Sequence, residues 1–366
     1  MQGTEAARRA LMASGLASFV LLGLAQAIFG PALPVYQHQF GLDTAQAGWL
    51  ISSFWVGCFS GVVGMFLAAG RAGPRPGLAA SVIGAAIMGL APWWPLVLLG
   101  GLIFGGGYGS LAAVFNPRIL SAYGPRGGAM MSLLNAIFSF GAIAAPLVFL
   151  ALGSEPRPTF LVFAAFGAVI WLASGAVSRD AVGATTERTG YRLHWPMLLF
   201  GMLAIGMEAA LVSLGPTALI RAGVAAGEAS QLLSIFYVSY LVARLVLVFV
   251  ADRIPAFSVY VAAMAFTVIC ALGALFISPA WFFPPMGISA SLFFHGFFVT
   301  ATRKMGSDAR VPPVIIGSGL IGAIILPLLC AQLIGLMGDR GFFWLILFWA
   351  SAVTLASAGA LPRMNR

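Results

Sequence analysis

The chain is a succession of long apolar runs, separated by short breaks that contain glycine, proline or charged residues. Twelve of these runs have about the 20 residues that an α-helix needs to cross a bilayer. They begin near residues 13, 45, 78, 96, 128, 160, 196, 231, 257, 283, 314 and 342. The pattern therefore predicts an all-α membrane protein with twelve transmembrane helices.

Composition supports this interpretation, because hydrophobic residues make up 61% of the chain and charged residues only 8%. A soluble domain carries about 25% charged residues, so water would leave most of this surface unhydrated. The cysteines Cys58, Cys270 and Cys330 lie inside apolar runs and lack the spacing of a metal or redox site. We expect no metal and no cofactor, and the sequence contains no ATP-binding motif.

The net charge of +9 reflects where the arginines lie. The basic residues occur singly or in pairs between apolar runs, so no basic stripe exists for a nucleic acid to follow. With a cytoplasmic N-terminus, fourteen basic residues fall in inside segments and only Arg157, Arg221 and Arg340 fall outside. This bias follows the positive-inside rule. We expect a monomer in the bacterial cytoplasmic (inner) membrane, with both termini in the cytoplasm.

Short segments recur at about half the chain length. "GAIAAP" at 141–146 returns as "GAIILP" at 322–327, and "FGPALP" at 29–34 is echoed by "LGPTAL" at 214–219. The longest polar segment lies between these halves. The repeat predicts two pseudo-symmetric six-helix bundles, 1–178 and 196–366, joined by a cytoplasmic linker at 179–195.

Several stretches resemble one transporter family. "NPRILSAYGPRGGAMMSLLNAIFSFGAIAAP", with Asn116 and Asn135, and "IGMEAALVSLGP", with Glu208, are similar to the major facilitator superfamily and, within it, to the fucose–proton symporter family of sugar permeases. The resemblance implies transport of a small polar, sugar-like solute by alternating access, with the solute bound between the two halves. Proton coupling is a further hypothesis that the resemblance implies.

The chain also departs from that family. The proton-carrying carboxylates of the first and fourth helices are missing: the first run offers Gln26, and Ala112 stands four residues before Asn116. The resemblance alone therefore does not establish sugar–proton symport for this chain.

The superfamily loop motif after the second helix is reduced to "FLAAGRAGPR", which keeps Arg71 and Arg75 but has lost its acidic residue. The copy in the second half keeps Asp252 and Arg253. We interpret these four residues as candidates for gating loops.

Two charged residues lie deep in the apolar runs. Glu208 is in the middle of the seventh run, and Arg244 is slightly towards the cytoplasmic end of the eighth. A charge at the bilayer centre costs about 2.5–3.5 kcal/mol on insertion scales and usually faces a cavity. Two interpretations remain open. Glu208 either forms a structural ion pair with Arg244, or faces the cavity as a substrate ligand, a proton site or both.

The neutral polar residues of the runs are the candidates for substrate binding. They are Gln26, Asn116, Asn135, Tyr237, Tyr240, His295 and Gln332. Amides suit sugar hydroxyls because each offers a donor and an acceptor, although hydrogen bonding between helices is an alternative role. His295 is also a candidate for proton coupling, and its alternative is a neutral hydrogen-bonded side chain.

Other functions compete with uptake of a sugar. The nearest is a major facilitator efflux antiporter for drugs, metabolites or organic anions. The fifth run reads "AAPLVFL", where drug–proton antiporters usually have a Gly-Pro-rich motif, which favours uptake. A membrane-embedded enzyme or a sensor would need a reactive cluster at one depth, for which only Glu208, Arg244 and His295 qualify. We therefore expect a transporter and not an enzyme.

Overall fold

The computed structural model describes residues 2–68, 73–123, 127–174, 190, 192–250, 253–306 and 311–365. In these residues all regular structure is helical. The helices are α1 (Gln2–Ala27), α2 (Phe29–Phe40), α3 (Thr44–Leu67), α4 (Arg75–Leu90), α5 (Trp94–Tyr123), α6 (Gly127–Ala151), α7 (Pro156–Ala173), α8 (Trp195–Arg221), α9 (Ala226–Val250), α10 (Ala256–Phe276), α11 (Pro279–Phe282), α12 (Met286–Met305), α13 (Val311–Ile334) and α14 (Gly341–Met364).

These helices supply the predicted twelve crossings. Eleven candidate spans among the described residues are long and apolar enough to cross a membrane. The twelfth is α4, an apolar helix of 16 residues, which extends about 24 Å at 1.5 Å per residue. The prediction of an all-α membrane protein with twelve transmembrane helices is confirmed. The crossing helices begin close to the predicted run starts, except α1, which begins at Gln2 and not near residue 13.

Two crossings are interrupted in ways that the hydrophobic pattern does not reveal. The first bends at Ile28, between α1 and α2, because Pro31 lacks the N–H that would continue the helical ladder. The tenth begins with the single-turn helix α11 and restarts at α12 after Pro284 and Pro285. Both breaks therefore follow from proline chemistry.

The chain divides into two compact units. Unit 1 comprises Met1–Leu42 and Trp49–Ala184, and unit 2 comprises Asp43–Gly48 and Thr185–Arg366. Most of the predicted linker 179–195 lies outside the described residues, which there include only Gly190 and 192–195. The boundaries 1–178 and 196–366 therefore stay a prediction.

Each unit contains an equivalent close approach between its first and fifth crossing helices. A Cβ built at Gly23 on α1 would lie 2.0 Å from a backbone oxygen of α6, and one at Gly141 on α6 would lie 2.3 Å from a backbone oxygen of α1. In unit 2, the same construction at Gly206 on α8 gives 2.7 Å to an oxygen of α13, and at Gly322 on α13 gives 1.8 Å to an oxygen of α8. Gly141 and Gly322 open the two repeated segments, so the repeat encodes this packing.

Candidate substrate and coupling sites

Glu208 lies on α8, where 78% of the membrane-spanning stretch is buried, the largest share among the described spans. Gly206 allows α8 to pack closely on α13, since a Cβ there would lie 2.1 Å from Leu326 Cδ1. The Glu208 side chain is 8% exposed. A carboxylate so enclosed is costly unless polar groups compensate for its lost hydration.

Tyr240 on α9 supplies that compensation. Its hydroxyl donates a hydrogen bond to Glu208 Oε1 over 3.1 Å and accepts one from Arg244 Nη2 over 2.6 Å. The guanidinium carbon of Arg244 also lies 4.5 Å from the centre of the Tyr240 ring, within the range of a cation–π interaction. Because Tyr240 and Arg244 are four residues apart on one helix, they share a face.

The two membrane charges are therefore connected through a tyrosine. Among the contacts of the described residues, no direct ion pair joins Glu208 to Arg244. The Arg244 guanidinium donates to the Tyr240 hydroxyl, and this hydroxyl donates to the Glu208 carboxylate. We call Glu208, Tyr240 and Arg244 the charged triad. Neither of the two interpretations of the sequence included this bridge, although Tyr240 was a candidate for substrate binding.

Tyr237 supports the triad by packing. It is fully buried, and its ring makes an edge contact with the Tyr240 ring at 5.8 Å between centroids. Tyr237 also makes an edge contact with the Phe236 ring at 5.5 Å between centroids. The position of Tyr237 therefore restricts the rotamer of Tyr240, in addition to any role in binding.

Unit 1 contains a neutral cluster. Tyr108 on α5 donates a hydrogen bond to Gln26 Oε1 over 2.7 Å. Its ring makes edge contacts with Phe54 at 5.4 Å and Trp55 at 6.0 Å. We call Gln26, Tyr108, Phe54 and Trp55 the amide–aromatic cluster. Gln26 and Glu208 occupy similar positions in the two halves, since 26 and 208 differ by nearly the repeat offset.

Tyr108 was not among the candidates from the sequence, because it lies in the glycine-rich segment "GGLIFGGGYGS" of α5. The glycines of this segment pack closely against α3: a Cβ at Gly105 would lie 1.9 Å from the Phe54 oxygen, and one at Gly109 would lie 2.0 Å from the Cys58 oxygen. The glycines bring α5 against α3, and this approach places Tyr108 beside the α3 aromatics. A lone tyrosine inside a glycine-rich span was the available signal.

The two asparagines of unit 1 differ in environment. Asn116 on α5 is half-buried, and its Oδ1 is buried without a hydrogen-bond partner among the described residues. Asn135 on α6 is exposed, and its backbone oxygen accepts a hydrogen bond from Ser139. The unpartnered oxygen of Asn116 is a group that a ligand donor would satisfy.

The remaining candidates are more scattered. His295 is half-buried on α12 and Gln332 is exposed on α13, and no hydrogen bond among the described residues joins either side chain to the triad. Arg75 is exposed at the start of α4, with its guanidinium 5.3 Å from the centre of the Trp171 ring.

Of the other gating-loop candidates, Arg253 is exposed in the turn between α9 and α10. Arg71 and Asp252 lie outside the described residues. Within the described part of the chain, no group of three or more His, Cys, Asp or Glu side chains is placed to hold a metal ion.

The fold defines an integral membrane protein of two six-helix units, related by the repeat and by their equivalent glycine contacts. The chain belongs to the Major Facilitator Superfamily, whose family model matches residues 15–312. This confirms the family predicted from the sequence. Membership indicates a transporter and not an enzyme.

Solved structures of similar fold include a variant of the E. coli fucose:proton symporter FucP, at TM-score 0.67 and 19% identity over 97% of this chain and 98% of that chain. The nucleoside transporter NupG matches at TM-score 0.72 and 15% identity over 98% and 99% of the two chains. A D-xylose-proton symporter matches at TM-score 0.72 and 13% identity over 95% and 96%. At these identities the likeness concerns the fold. A search of curated proteins finds no match to the sequence.

Proposed function

We propose that this protein is a secondary active transporter that takes up a small polar, sugar-like solute by alternating access, coupled to protons. The observation that carries the proposal is the charged triad, which combines a buried carboxylate, a tyrosine and an arginine inside membrane-spanning helices. Ionisable groups at such depth are costly and usually serve transport.

Glu208 is the proposed proton carrier. Of the carboxylates that the structure describes, it alone lies away from the ends of the membrane spans. Because the Tyr240 hydroxyl stands between the carboxylate and the guanidinium, the carboxylate takes up or releases a proton without breaking a direct ion pair. The proton binds to the carboxylate from one side of the membrane and leaves to the other, while Arg244 remains bonded to Tyr240. His295 is the second candidate for this role.

The solute class is proposed from the neutral groups of unit 1. Gln26 and Asn116 offer amide donors and acceptors suited to hydroxyl groups, and Trp55 and Tyr108 add aromatic surface. The similar structures are transporters of fucose, of a nucleoside and of D-xylose, and all three solutes carry hydroxyl groups. We propose that these groups bind the solute in unit 1, with Asn135 as a further contributor there. In unit 2, Tyr237, Tyr240, His295 and Gln332 stay candidates for solute binding.

The proposed topology has both termini in the cytoplasm of a bacterial inner membrane, and the proposed active form is a monomer. Cysteines introduced singly at Arg188 and Arg366 should react with an impermeant reagent from the same side of the membrane. Labelling from opposite sides would contradict this topology.

Transport by the purified protein in proteoliposomes tests the function. The expected result is accumulation of one member of a panel of labelled monosaccharides and nucleosides when the lumen is alkaline, and collapse of accumulation when a protonophore removes the pH gradient. Accumulation driven only by an acidic lumen, with apolar cations or organic anions as the solutes, would support the efflux antiporter. No transport of any panel member under either gradient would contradict both.

A further inference from the structure

A groove of about 690 Å³ in unit 2 lies between α9 and α10. Both helices pack against α12, which forms the floor through Ile288, Ser289 and Leu292. The walls are almost entirely apolar. Val242 and Val246 on the α9 wall are 52% and 54% exposed, so the groove is open to the surroundings of the helices.

The groove covers one half of the membrane. Its α9 wall extends from Val238 to Leu247, which corresponds to about 14 Å along a helix at 1.5 Å per residue. One leaflet contributes about half of the roughly 30 Å hydrocarbon core. The groove also reaches Ile254 and Ser258, which lie at the start of α10. It therefore extends from mid-membrane to the end of the helices and matches the reach of an acyl chain in one leaflet.

Among the described residues, those at the end of the groove are basic. The described residues around it, 253–258, 301–306 and 360–365, contain four basic side chains and no acidic one. The hydroxyl of Ser258, a lining residue, accepts a hydrogen bond from Asn365 Nδ2 over 2.9 Å. The preceding Arg363 is exposed, and its backbone oxygen accepts a hydrogen bond from Lys304 Nζ over 3.0 Å. These contacts join the groove to the basic ends of α12 and α14.

An apolar groove of leaflet depth with a cationic end has the chemistry of a phospholipid site. A bound acyl chain would cover the exposed valines, and a phosphate would lie in the field of Arg253, Arg303, Lys304 and Arg363. Each basic residue near a membrane surface raises the affinity for an anionic lipid roughly fivefold. A zwitterionic headgroup would gain much less.

We propose that this groove binds one acyl chain of an anionic phospholipid, with its phosphate at the basic end formed by Arg253, Arg303, Lys304 and Arg363. The site is separate from the charged triad and depends on neither the solute nor the coupling ion. The bound acyl chain contacts the apolar lining residues of both α9 and α10.

Native mass spectrometry of the full chain in detergent tests the proposal, with phosphatidylglycerol and phosphatidylcholine of identical acyl chains as probes. The unmodified protein should bind phosphatidylglycerol more tightly than phosphatidylcholine. Arg253→Gln and Arg363→Gln should each weaken phosphatidylglycerol binding about fivefold and bring the two lipids closer in affinity. Equal affinities of the unmodified protein for both lipids would overturn the proposal.

Ala262 lines the groove and is exposed, so Ala262→Trp should fill it with little strain. Each methylene displaced from the site weakens binding about fourfold, and displacement of about two gives a loss of roughly fifteenfold. Ala356→Trp is the matched control, because Ala356 is exposed on α14 outside the groove, and it should bind lipid normally. If Ala262→Trp elutes as an aggregate, Val242→Trp at the opposite wall replaces it.

Equal lipid binding by the groove-filling and control variants would overturn the site. A dimer that the groove-filling variant dissociates would assign the groove to a second copy of the chain, and would equally contradict the lipid.

Discussion

Replacing Tyr240 by phenylalanine removes the one atom that connects the two charges of the triad. The hydroxyl donates over 3.1 Å to Glu208 and accepts over 2.6 Å from Arg244, whereas the ring that lies 4.5 Å from the guanidinium is retained. A hydrogen bond to a charged group contributes about 1.5–3 kcal/mol. We expect Tyr240→Phe to lower the free energy of unfolding by no more than about that amount, since the retained ring still holds Arg244 and a direct ion pair with Glu208 offsets part of the loss.

The same change should impair coupling. Without the hydroxyl, Arg244 has no polar group between itself and Glu208, and a direct ion pair forms that must break before the carboxylate takes up a proton. Solute accumulation driven by a pH gradient should fall, whereas solute exchange at equal pH should be affected less. Thermal unfolding in detergent and both transport modes in proteoliposomes measure these effects.

Tyr260→Phe is the matched control for this prediction. Tyr260 is another buried tyrosine of unit 2, and its hydroxyl donates only to the neutral backbone oxygen of Phe200, over 2.9 Å. Loss of this hydroxyl should lower the free energy of unfolding by about 0.5–1.5 kcal/mol. It should leave the ratio of gradient-driven to exchange transport unchanged. If Tyr240→Phe matches Tyr260→Phe in both stability and this ratio, the bridging role of Tyr240 is refuted.

Further predictions concern the amides and the glycine contacts. Asn116→Ala and Asn135→Ala should each weaken solute affinity by up to about tenfold, the equivalent of about 0.5–1.5 kcal/mol for one hydrogen bond, with little change in melting temperature; normal transport by both would make them structural. Gly322→Ala should lower stability by about 1–3 kcal/mol, because its Cβ would lie 1.8 Å from the Met202 oxygen. Gly359→Ala, where nothing lies within 4 Å, should be neutral or slightly stabilising, and equal melting temperatures for the two glycine variants would contradict the packing argument.

The crossings were predictable from sequence because the bilayer imposes one length and one polarity on every helix that spans it. Glu208 was identifiable for the same reason, since a single carboxylate in an apolar run has no solvent to face. The glycine contacts were also visible: the repeated segments that begin at Gly141 and Gly322 form equivalent helix contacts in the two units. These features are local in sequence or periodic.

The partners of those residues were not predictable. Tyr240 lies 32 residues from Glu208, and Tyr108 lies 82 residues from Gln26. Contacts of this kind depend on the rotation of each helix and on the depth at which two helices cross. Close packing at glycines fixes both in the folded protein. Hydropathy restricts depth only to within several residues. The ion-pair interpretation therefore placed Glu208 and Arg244 near each other, but could not place a tyrosine hydroxyl between them.

The central claim is that Glu208 carries the coupled proton, and one measurement on Glu208→Gln tests it most directly. The glutamine of this variant keeps an oxygen that can accept the hydrogen bond from Tyr240, but its amide does not bind and release protons as a carboxylate does. Proteoliposomes containing it should show no solute accumulation under an inward proton gradient, yet should still exchange internal for external solute, because exchange needs no net proton movement. Gradient-driven accumulation equal to that of the unmodified protein would contradict the claim.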